Sequence, residues 1–162
     1  MTAPAVPPAP PSRPATTAPL GGLGPVDHLG IAVSDLEQGK RLYGATLGLR
    51  LLFEEEVPTE KVRVAAYDGG GVRLELLCST DPAGPIAKVV EKRGPGIHHV
   101  CYRVDDIRAA LARLEAQGIA PLGQAPRPGA GGCQVAFVHP KDAGGVLVEL
   151  SQHPPGGVKH GH

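Results

Sequence analysis

The feature of this 162-residue sequence that most limits its possible folds is an internal repeat. Two segments of the first half match segments of the second half at an offset of 71 residues, and a third matches at 74 after a short insertion. The matching pairs are 26–36 with 97–107, 64–66 with 135–137, and 72–76 with 146–150. Self-similarity at a fixed offset indicates a repeated structural unit, so we predict two copies of one supersecondary module.

The two ends of the chain differ in composition from this repeated region. Residues 1–24 contain seven prolines and no apolar periodicity, which predicts a disordered Pro/Ala-rich tail. With Arg13 as its one basic residue, this tail matches neither a secretory signal nor a transit peptide. Residues 25–152 are predicted to form a single domain, and 153–162, rich in Gly and Pro, a flexible tail.

Composition excludes several classes of function. The 16 basic and 16 acidic residues balance, which argues against a general nucleic-acid-binding protein. The sequence contains no run of about 20 apolar residues, so no membrane span is predicted. Its three cysteines lack the C-x-x-C spacing of a zinc ribbon and are odd in number, which favours a reducing, cytoplasmic location.

Each repeat shows one strand, one helix and three further strands, which predicts an α+β fold of two βαβββ modules at about 25–80 and 96–152. The predicted strands are Val26–Val33, Leu49–Glu54, Val62–Tyr67 and Val72–Leu77, then His98–Val104, Ile119–Leu122, Gln134–Val138 and Val146–Ser151. The predicted helices run from Asp35 to about Thr46, with Ser34 as N-cap, and over Ile107–Gln117. Pro85–Lys92 is predicted as a short linking helix.

The repeat places a histidine on the first strand of each module and a glutamate on its last strand. The two pairs are His28 with Glu75 and His99 with Glu149. Buried glutamates would be costly unless paired or metal-bound, whereas the alternative is that both face water. Because the pairs are symmetric, we favour a metal site. Two nitrogens and two oxygens suit Co²⁺, Mn²⁺, Ni²⁺ or Zn²⁺ better than Ca²⁺ or Mg²⁺.

Strand alternation predicts which side chains share a face with these groups. His28 shares its face with the small residues Gly30 and Ala32, and His99 shares one with Cys101, which leaves room for a ligand. His98 is predicted to point to the opposite face, so the His-His pair would supply one ligand.

The remaining polar candidates are weaker. His139 is predicted to be a turn residue, and the tail residue His153 to be solvated. The basic residues Lys88, Lys92 and Arg93 are predicted to form a polar helix face, with contact to a phosphate group as the alternative.

Several motifs in this chain are known from one superfamily. They are Asp27–Val33, Gly84–Lys88 with Glu91–His99, Pro126–Ala130, Val135–Lys141 and Gly144–Leu150. Together with the paired βαβββ modules, these stretches resemble the vicinal oxygen chelate (glyoxalase) superfamily, and within it the methylmalonyl-CoA epimerase family. The resemblance covers about residues 26–152. It implies a curved mixed sheet around a central metal site.

The resemblance also implies roles for individual residues. His28, His99 and Glu149 match the family's metal ligands, and Glu75 matches a fourth ligand position. The implied metal is Co²⁺, with Mn²⁺, Ni²⁺ or Zn²⁺ as alternatives. The implied substrate is a methylmalonyl thioester of CoA, chelated through its carboxylate and its thioester carbonyl. A homodimeric isomerase of propionate metabolism is expected on the same basis.

Inversion at the α-carbon requires a proton to leave one face and another to reach the opposite face, which two carboxylates could perform. Glu149 and Glu75 are the predicted catalytic residues. Some family members carry a further glutamate where this chain has Val64, so Glu75, a bound water or Glu60 would take over that proton transfer.

Two other functions are compatible with the sequence. A lactoylglutathione lyase-type glyoxalase would keep the metal and bind glutathione in place of CoA. A metal-free small-molecule binding protein of the same fold is the second alternative, although such proteins typically lack the ligand residues that this chain has.

Overall fold

The computed structural model describes residues 23–158 and folds them into eight strands and three α-helices. The elements of the first module are β1 (Val26–Ala32), α1 (Leu36–Lys40), β2 (Leu51–Val57), β3 (Val62–Asp68) and β4 (Arg73–Ser79). The linking helix α2 spans Pro85–Arg93. The second module contains β5 (Gly96–Arg103), α3 (Ile107–Ala116), β6 (Arg127–Pro128), β7 (Gln134–Val138) and β8 (Val148–Gln152).

All eight strands form one curled mixed sheet in the order β2-β3-β4-β1-β5-β8-β7-β6. The two modules meet where β1 and β5 pair in antiparallel orientation. On either side of this junction the first strand of a module pairs in parallel with its last strand, β1 with β4 and β5 with β8. The predicted α+β fold of two βαβββ modules in a curved mixed sheet is therefore confirmed.

The alternation of side chains along the last strands separates the core from the site. Leu76 of β4 is buried with Leu36 of α1, and Leu150 of β8 is buried with Leu111 of α3. Burying a leucine side chain contributes about 1.5–3 kcal/mol, so these contacts hold the helices on one face of the sheet. Glu75 and Glu149 each precede one of these leucines and therefore point to the other face.

Two local predictions were wrong. Asp35 rather than Ser34 is the N-cap of α1, because its carboxylate accepts the Gln38 backbone N–H at 2.9 Å. Residues 119–122 form no strand, and Pro121, which lacks an N–H, makes only an isolated bridge to Val138. The edge position beside β7 is taken instead by β6. The first predicted helix is helical as far as Thr46, as expected, but it is an α-helix only over Leu36–Lys40 and a π-helix over Arg41–Thr46.

The predicted N-terminal tail lies largely outside the described residues. Of the segment 1–24, only residues 23 and 24 are described, and the Gly24 N–H donates to the Arg103 carbonyl at 2.7 Å. The predicted flexible tail is described as far as residue 158. Within residues 23–158, no helix is long and apolar enough to cross a membrane.

Candidate metal centre and active site

The concave face of the sheet encloses a cavity of about 90 Å³, and all four predicted site residues line it. Its polar lining comes from both modules, namely His28, Glu60, Arg73, Glu75, His98, His99, Glu149 and Ser151. Its apolar lining includes Val62, Val64, Leu77, Ile86, Val135 and Phe137. The cavity therefore combines a polar centre with apolar walls, as ligand sites do.

The four predicted site residues are buried and lie close together. His28, Glu75 and His99 each expose 4% of their surface, and Glu149 exposes 6%. His28 Nε2 lies 3.2 Å from His99 Nε2. It also lies 3.3 Å from Glu149 Oε2 and 3.4 Å from Glu75 Oε2. The interpretation in which both glutamates face water is therefore wrong.

Three of the four residues form the tightest group. Donor atoms of His28, His99 and Glu149 all lie within 4.8 Å of one another, and His99 Nε2 is 2.7 Å from Glu149 Oε2. Glu75 lies at the margin of this group. Its Oε2 contacts His28, while its Oε1 accepts a hydrogen bond from Arg73 Nε at 2.9 Å. Glu75 is thus shared between the cluster and a guanidinium.

Opposite charges in the cluster shift the pKa values of its members. Burial alone would lower the pKa of His28, but the Glu75 carboxylate, followed by Asp27 and Glu149, raises it well above its ordinary value. Burial alone would raise the pKa of Glu149, but hydrogen bonds from His28 and His99 hold that pKa well below its usual range. The metal-free cluster therefore favours a protonated His28 next to an ionised Glu149.

Three of the four measured donor spacings fit one divalent cation, while the fourth, 2.7 Å between His99 Nε2 and Glu149 Oε2, is a hydrogen-bond distance that a shared ion would have to lengthen. Two donors about 2.1 Å from a shared ion, at angles between 90° and tetrahedral, lie about 3.0–3.4 Å apart. The contacts of His28 Nε2 with His99, Glu149 and Glu75 are 3.2, 3.3 and 3.4 Å. A set of imidazole nitrogens and carboxylate oxygens suits a transition metal. His28, His99 and Glu149 would hold it, with Glu75 at a fourth position, and their ligand roles remain a prediction.

His98 does not point away from the site as predicted. A β-bulge between β1 and β5 leaves His98 without a partner in the ladder, because Gly30 pairs with His99 and Ile31 pairs with Ile97. A bulge interrupts the alternation of side chains and redirects the extra residue. His98 therefore lines the cavity, and its Nδ1 lies 2.9 Å from His99 Nδ1. Burial, aided by the nearby His99 and Arg93 charges, lowers the pKa of His98 to about 4.

The sequence predicts no role in the site for three polar residues that surround the cluster. Arg73 donates through Nη2 to Asp27 Oδ2 at 2.9 Å, in addition to its bond with Glu75. Asp27 in turn accepts from His28 Nδ1 at 2.7 Å. His153, predicted to be solvated, is largely buried, with Nε2 2.7 Å from Asp27 Oδ1. The i, i+2 spacing of Arg73 and Glu75 on β4, which puts both on one face, could have indicated the first of these.

Two of the three basic residues of α2, Lys92 and Arg93, line a second cavity next to the first, whereas Lys88 does not. This cavity, of about 560 Å³, shares His98 and His99 with the lining of the first cavity. Arg93 Nη2 donates to the Ile97 carbonyl at 3.1 Å. Exposed apolar residues, Ile97 and Val146, complete its rim. His139, as predicted, is a turn residue whose Nδ1 accepts the Lys141 N–H at 3.1 Å.

This chain is similar in sequence and in structure to known proteins. Residues 27–137 match the model of the Glyoxalase/Bleomycin resistance protein/Dioxygenase superfamily. An ethylmalonyl-CoA/methylmalonyl-CoA epimerase of Cereibacter sphaeroides is 42% identical over 132 residues, which cover 80% of this chain and 98% of the relative.

Two solved structures are similar along most of the chain. The crystal structure of methylmalonyl-CoA epimerase from Mycobacterium tuberculosis superposes with a TM-score of 0.82 at 35% identity and covers 88% of this chain and 96% of its own. A methylmalonyl-CoA epimerase in complex with methylmalonyl-CoA and NH₄⁺ superposes with a TM-score of 0.77 at 34% identity, covering 86% and 99%. With the matched superfamily model and these near full-length similarities, the chain belongs to the methylmalonyl-CoA epimerase family of the glyoxalase superfamily.

Proposed function

We propose that this protein is a divalent-metal-dependent epimerase that interconverts the (R) and (S) forms of methylmalonyl-CoA. The observation that carries the proposal is that two buried carboxylates, one from each module, both contact the imidazole of His28. Glu75 Oε2 and Glu149 Oε2 lie 3.4 and 3.3 Å from His28 Nε2. Membership of an epimerase family supports the reaction, and the relative solved with methylmalonyl-CoA supports the substrate.

Epimerisation breaks the α C–H bond and forms it again on the other face, with no net change in atoms or electrons. One carboxylate takes the proton as general base, and a second group returns one as general acid. We assign Glu149 as the base and Glu75 as the second proton carrier. Val64, buried on the same wall of the cavity, offers no proton carrier at the position where some family members have glutamate.

The surrounding residues prepare these two carboxylates. Arg73 Nε, 2.9 Å from Glu75 Oε1, orients that carboxylate and leaves Oε2 toward the cavity. Val62, Val64 and Leu77 exclude water from the same wall, which strengthens electrostatic interactions inside. A divalent cation held by His28, His99 and Glu149 would supply positive charge next to the thioester oxygen, where negative charge develops as the proton leaves.

The second cavity is our candidate for the CoA portion of the substrate. It adjoins the metal cluster at His98 and His99 and carries two cations, Lys92 and Arg93. Phosphate groups favour such cationic surroundings. A homodimer and Co²⁺ as the native ion remain predictions from the family resemblance, and a cytoplasmic location remains a prediction from the cysteine content.

The test is deuterium wash-in at the α-carbon of (R)- and (S)-methylmalonyl-CoA, measured by mass spectrometry in D₂O. Metal-free protein is compared with protein to which Co²⁺ has been restored. We expect exchange and racemisation with metal, and loss of both after complete chelation. Unchanged exchange in chelated protein would refute metal dependence. Turnover of a glutathione hemithioacetal without any exchange of methylmalonyl-CoA would establish the lyase alternative instead.

A further inference from the structure

The two candidate histidine ligands are each preceded by a residue that sits in a β-bulge. Val26 pairs with Tyr102 and His28 with Cys101, so Asp27 is the extra residue on β1. Gly30 pairs with His99 and Ile31 with Ile97, so His98 is the extra residue on β5. The internal repeat relates Asp27 to His98 at the same offset that relates His28 to His99. The bulges are therefore a symmetric feature of both modules.

Each bulge residue contacts the outer nitrogen of the histidine that follows it. Asp27 Oδ2 lies 2.7 Å from His28 Nδ1, and His98 Nδ1 lies 2.9 Å from His99 Nδ1. The opposite ring nitrogens, the two Nε2 atoms, face each other across 3.2 Å at the centre of the cluster. The bulge thus lets adjacent residues meet on one side of a strand, which regular alternation would prevent.

We propose that Asp27 and His98 are positioning residues that keep the proton of His28 and of His99 on Nδ1, so that each Nε2 presents its lone pair to the cation. This inference rests on the proposed metal site. A histidine ligand whose other ring nitrogen donates to a carboxylate or another acceptor has a defined tautomer and ring orientation. Asp27 lines neither cavity, whereas His98 lines both, so the proposed positioning role is tested through metal affinity and ring protonation rather than through turnover.

The chemistry of the acceptor determines the direction of the first hydrogen bond. The Asp27 carboxylate can only accept, so His28 Nδ1 must donate across the 2.7 Å contact. Arg73 Nη2 also lies near this nitrogen, but at the longer distance of 3.3 Å, and it donates to Asp27 at the shorter distance of 2.9 Å. For the second contact, the proposal assigns His98 the tautomer with its proton on Nε2, so that His98 Nδ1 accepts and His99 Nδ1 donates.

Asp27 and His98 differ in strength as hydrogen-bond acceptors. Asp27 is charged and accepts a hydrogen bond from Arg73 at 2.9 Å, and it lies 2.7 Å from His153 Nε2, a contact that is not aligned as a hydrogen bond. His98 is a neutral acceptor without a carboxylate behind it in the described contacts. Charge-assisted hydrogen bonds are roughly twice as strong as neutral ones, so loss of Asp27 is expected to weaken metal binding more than loss of His98.

The experiment compares Zn²⁺ affinity and imidazole protonation in the full-length chain. Asp27→Ala and His98→Phe each remove an acceptor, while His98→Asn keeps one, since its amide oxygen can accept from His99. Asp68→Asn, at an exposed carboxylate paired with Arg50, is the matched control. Zn²⁺ affinity is measured by chelator competition, and the His28→Ala variant gives the baseline from other histidines. Long-range ¹H–¹⁵N spectra report which ring nitrogen of His28 and His99 carries the proton.

We expect a loss of about 10–100-fold in Zn²⁺ affinity for Asp27→Ala, and a loss toward the lower end of that range for His98→Phe. His98→Asn and Asp68→Asn should stay close to the wild type. In the spectra, Nδ1 should carry the proton on both histidines, with and without Zn²⁺. Wild-type affinity in both Asp27→Ala and His98→Phe, or a proton on Nε2 alone of the metal-free His99, would overturn the inference. A wild-type chain that binds no more Zn²⁺ than His28→Ala would instead refute the proposed metal site, and the spectra would still decide the positioning contacts.

Discussion

Gly30 and His99 lie opposite each other where β1 and β5 pair, and the imidazole of His99 occupies the space that a side chain on Gly30 would need. A Cβ atom at position 30 would overlap the His99 ring atoms Cε1, Nδ1 and Nε2. The backbone of Gly30 is extended, so the need for glycine here is a need for space rather than for an unusual φ angle. The position of the His99 imidazole in the second module therefore depends on the absence of a side chain in the first.

We predict that Gly30→Ala displaces the His99 imidazole and weakens Co²⁺ binding by at least about tenfold. Overpacking a buried site costs about 1–3 kcal/mol, so the free energy of unfolding should fall by that amount as well. Chelator competition and urea denaturation measure the two effects. Gly44→Ala is the matched control, because a Cβ there would meet Tyr67 only at 3.4 Å. Unchanged Co²⁺ affinity in Gly30→Ala would contradict the described packing of His99.

We predict that Glu149→Gln abolishes turnover. The change preserves shape but removes the charge that contacts both His28 and His99, and an amide cannot accept the α-proton. General-base catalysis contributes about 10²–10⁴-fold, and the loss of a ligand adds to that. The rate of deuterium wash-in is the measurement, with Glu37→Gln on the exposed side of α1 as control. Persistent exchange in Glu149→Gln would exclude this residue as the base.

Glu75→Gln should separate catalysis from metal binding. Glu75 lies outside the group of three residues whose donors are all within 4.8 Å, so its loss of charge should leave the metal bound. Turnover should nevertheless fall by about 10²-fold or more, because a proton carrier is lost. Metal content after dialysis and the wash-in rate are measured on the same sample. A variant that loses the metal entirely would show that Glu75 is an indispensable ligand.

The pH dependence of metal binding follows from the raised pKa of His28. Burial opposes this shift, but the Glu75 carboxylate, with Asp27 and Glu149, stabilises the imidazolium in the metal-free protein. A cation must displace that proton, so metal affinity should fall as pH decreases, by up to about tenfold per pH unit for one released proton. Calorimetric titration with Co²⁺ in buffers of different ionisation enthalpy counts the protons released. Equal affinity at about pH 6 and about pH 8 would contradict the prediction.

Much of the architecture was accessible from the sequence because it is encoded locally. The alternation of Glu75 with Leu74 and Leu76 predicts one face toward the core, and the repeat predicts that Glu149 behaves in the same way. The strand at 119–122 was wrong because an apolar run indicates β-propensity but not which segment will pair with β7. Residue type alone favours Ser34 and Asp35 equally as N-cap, and the structure selects Asp35, which directly precedes the first helical residue.

The site was only partly predictable for a related reason. The regular alternation assigned to His98 fails because a bulge depends on the register between β1 and β5, which lie 71 residues apart in the repeat. The burial of Arg73 and His153 is equally non-local. The sequence predicts a solvated His153 and no particular position for Arg73, whereas both side chains lie largely buried next to the Asp27 carboxylate.

The sequence by itself determined the duplicated module, the residue types at the centre of the site and the faces on which the glutamates lie, since repeats and strand periods are properties of neighbouring residues. Only the tertiary structure decided the pairing of β1 with β5, its two bulges, the approach of His99 over Gly30 and the polar contacts behind His28. These depend on strand register and on contacts between distant segments, which arise only when both modules share one sheet.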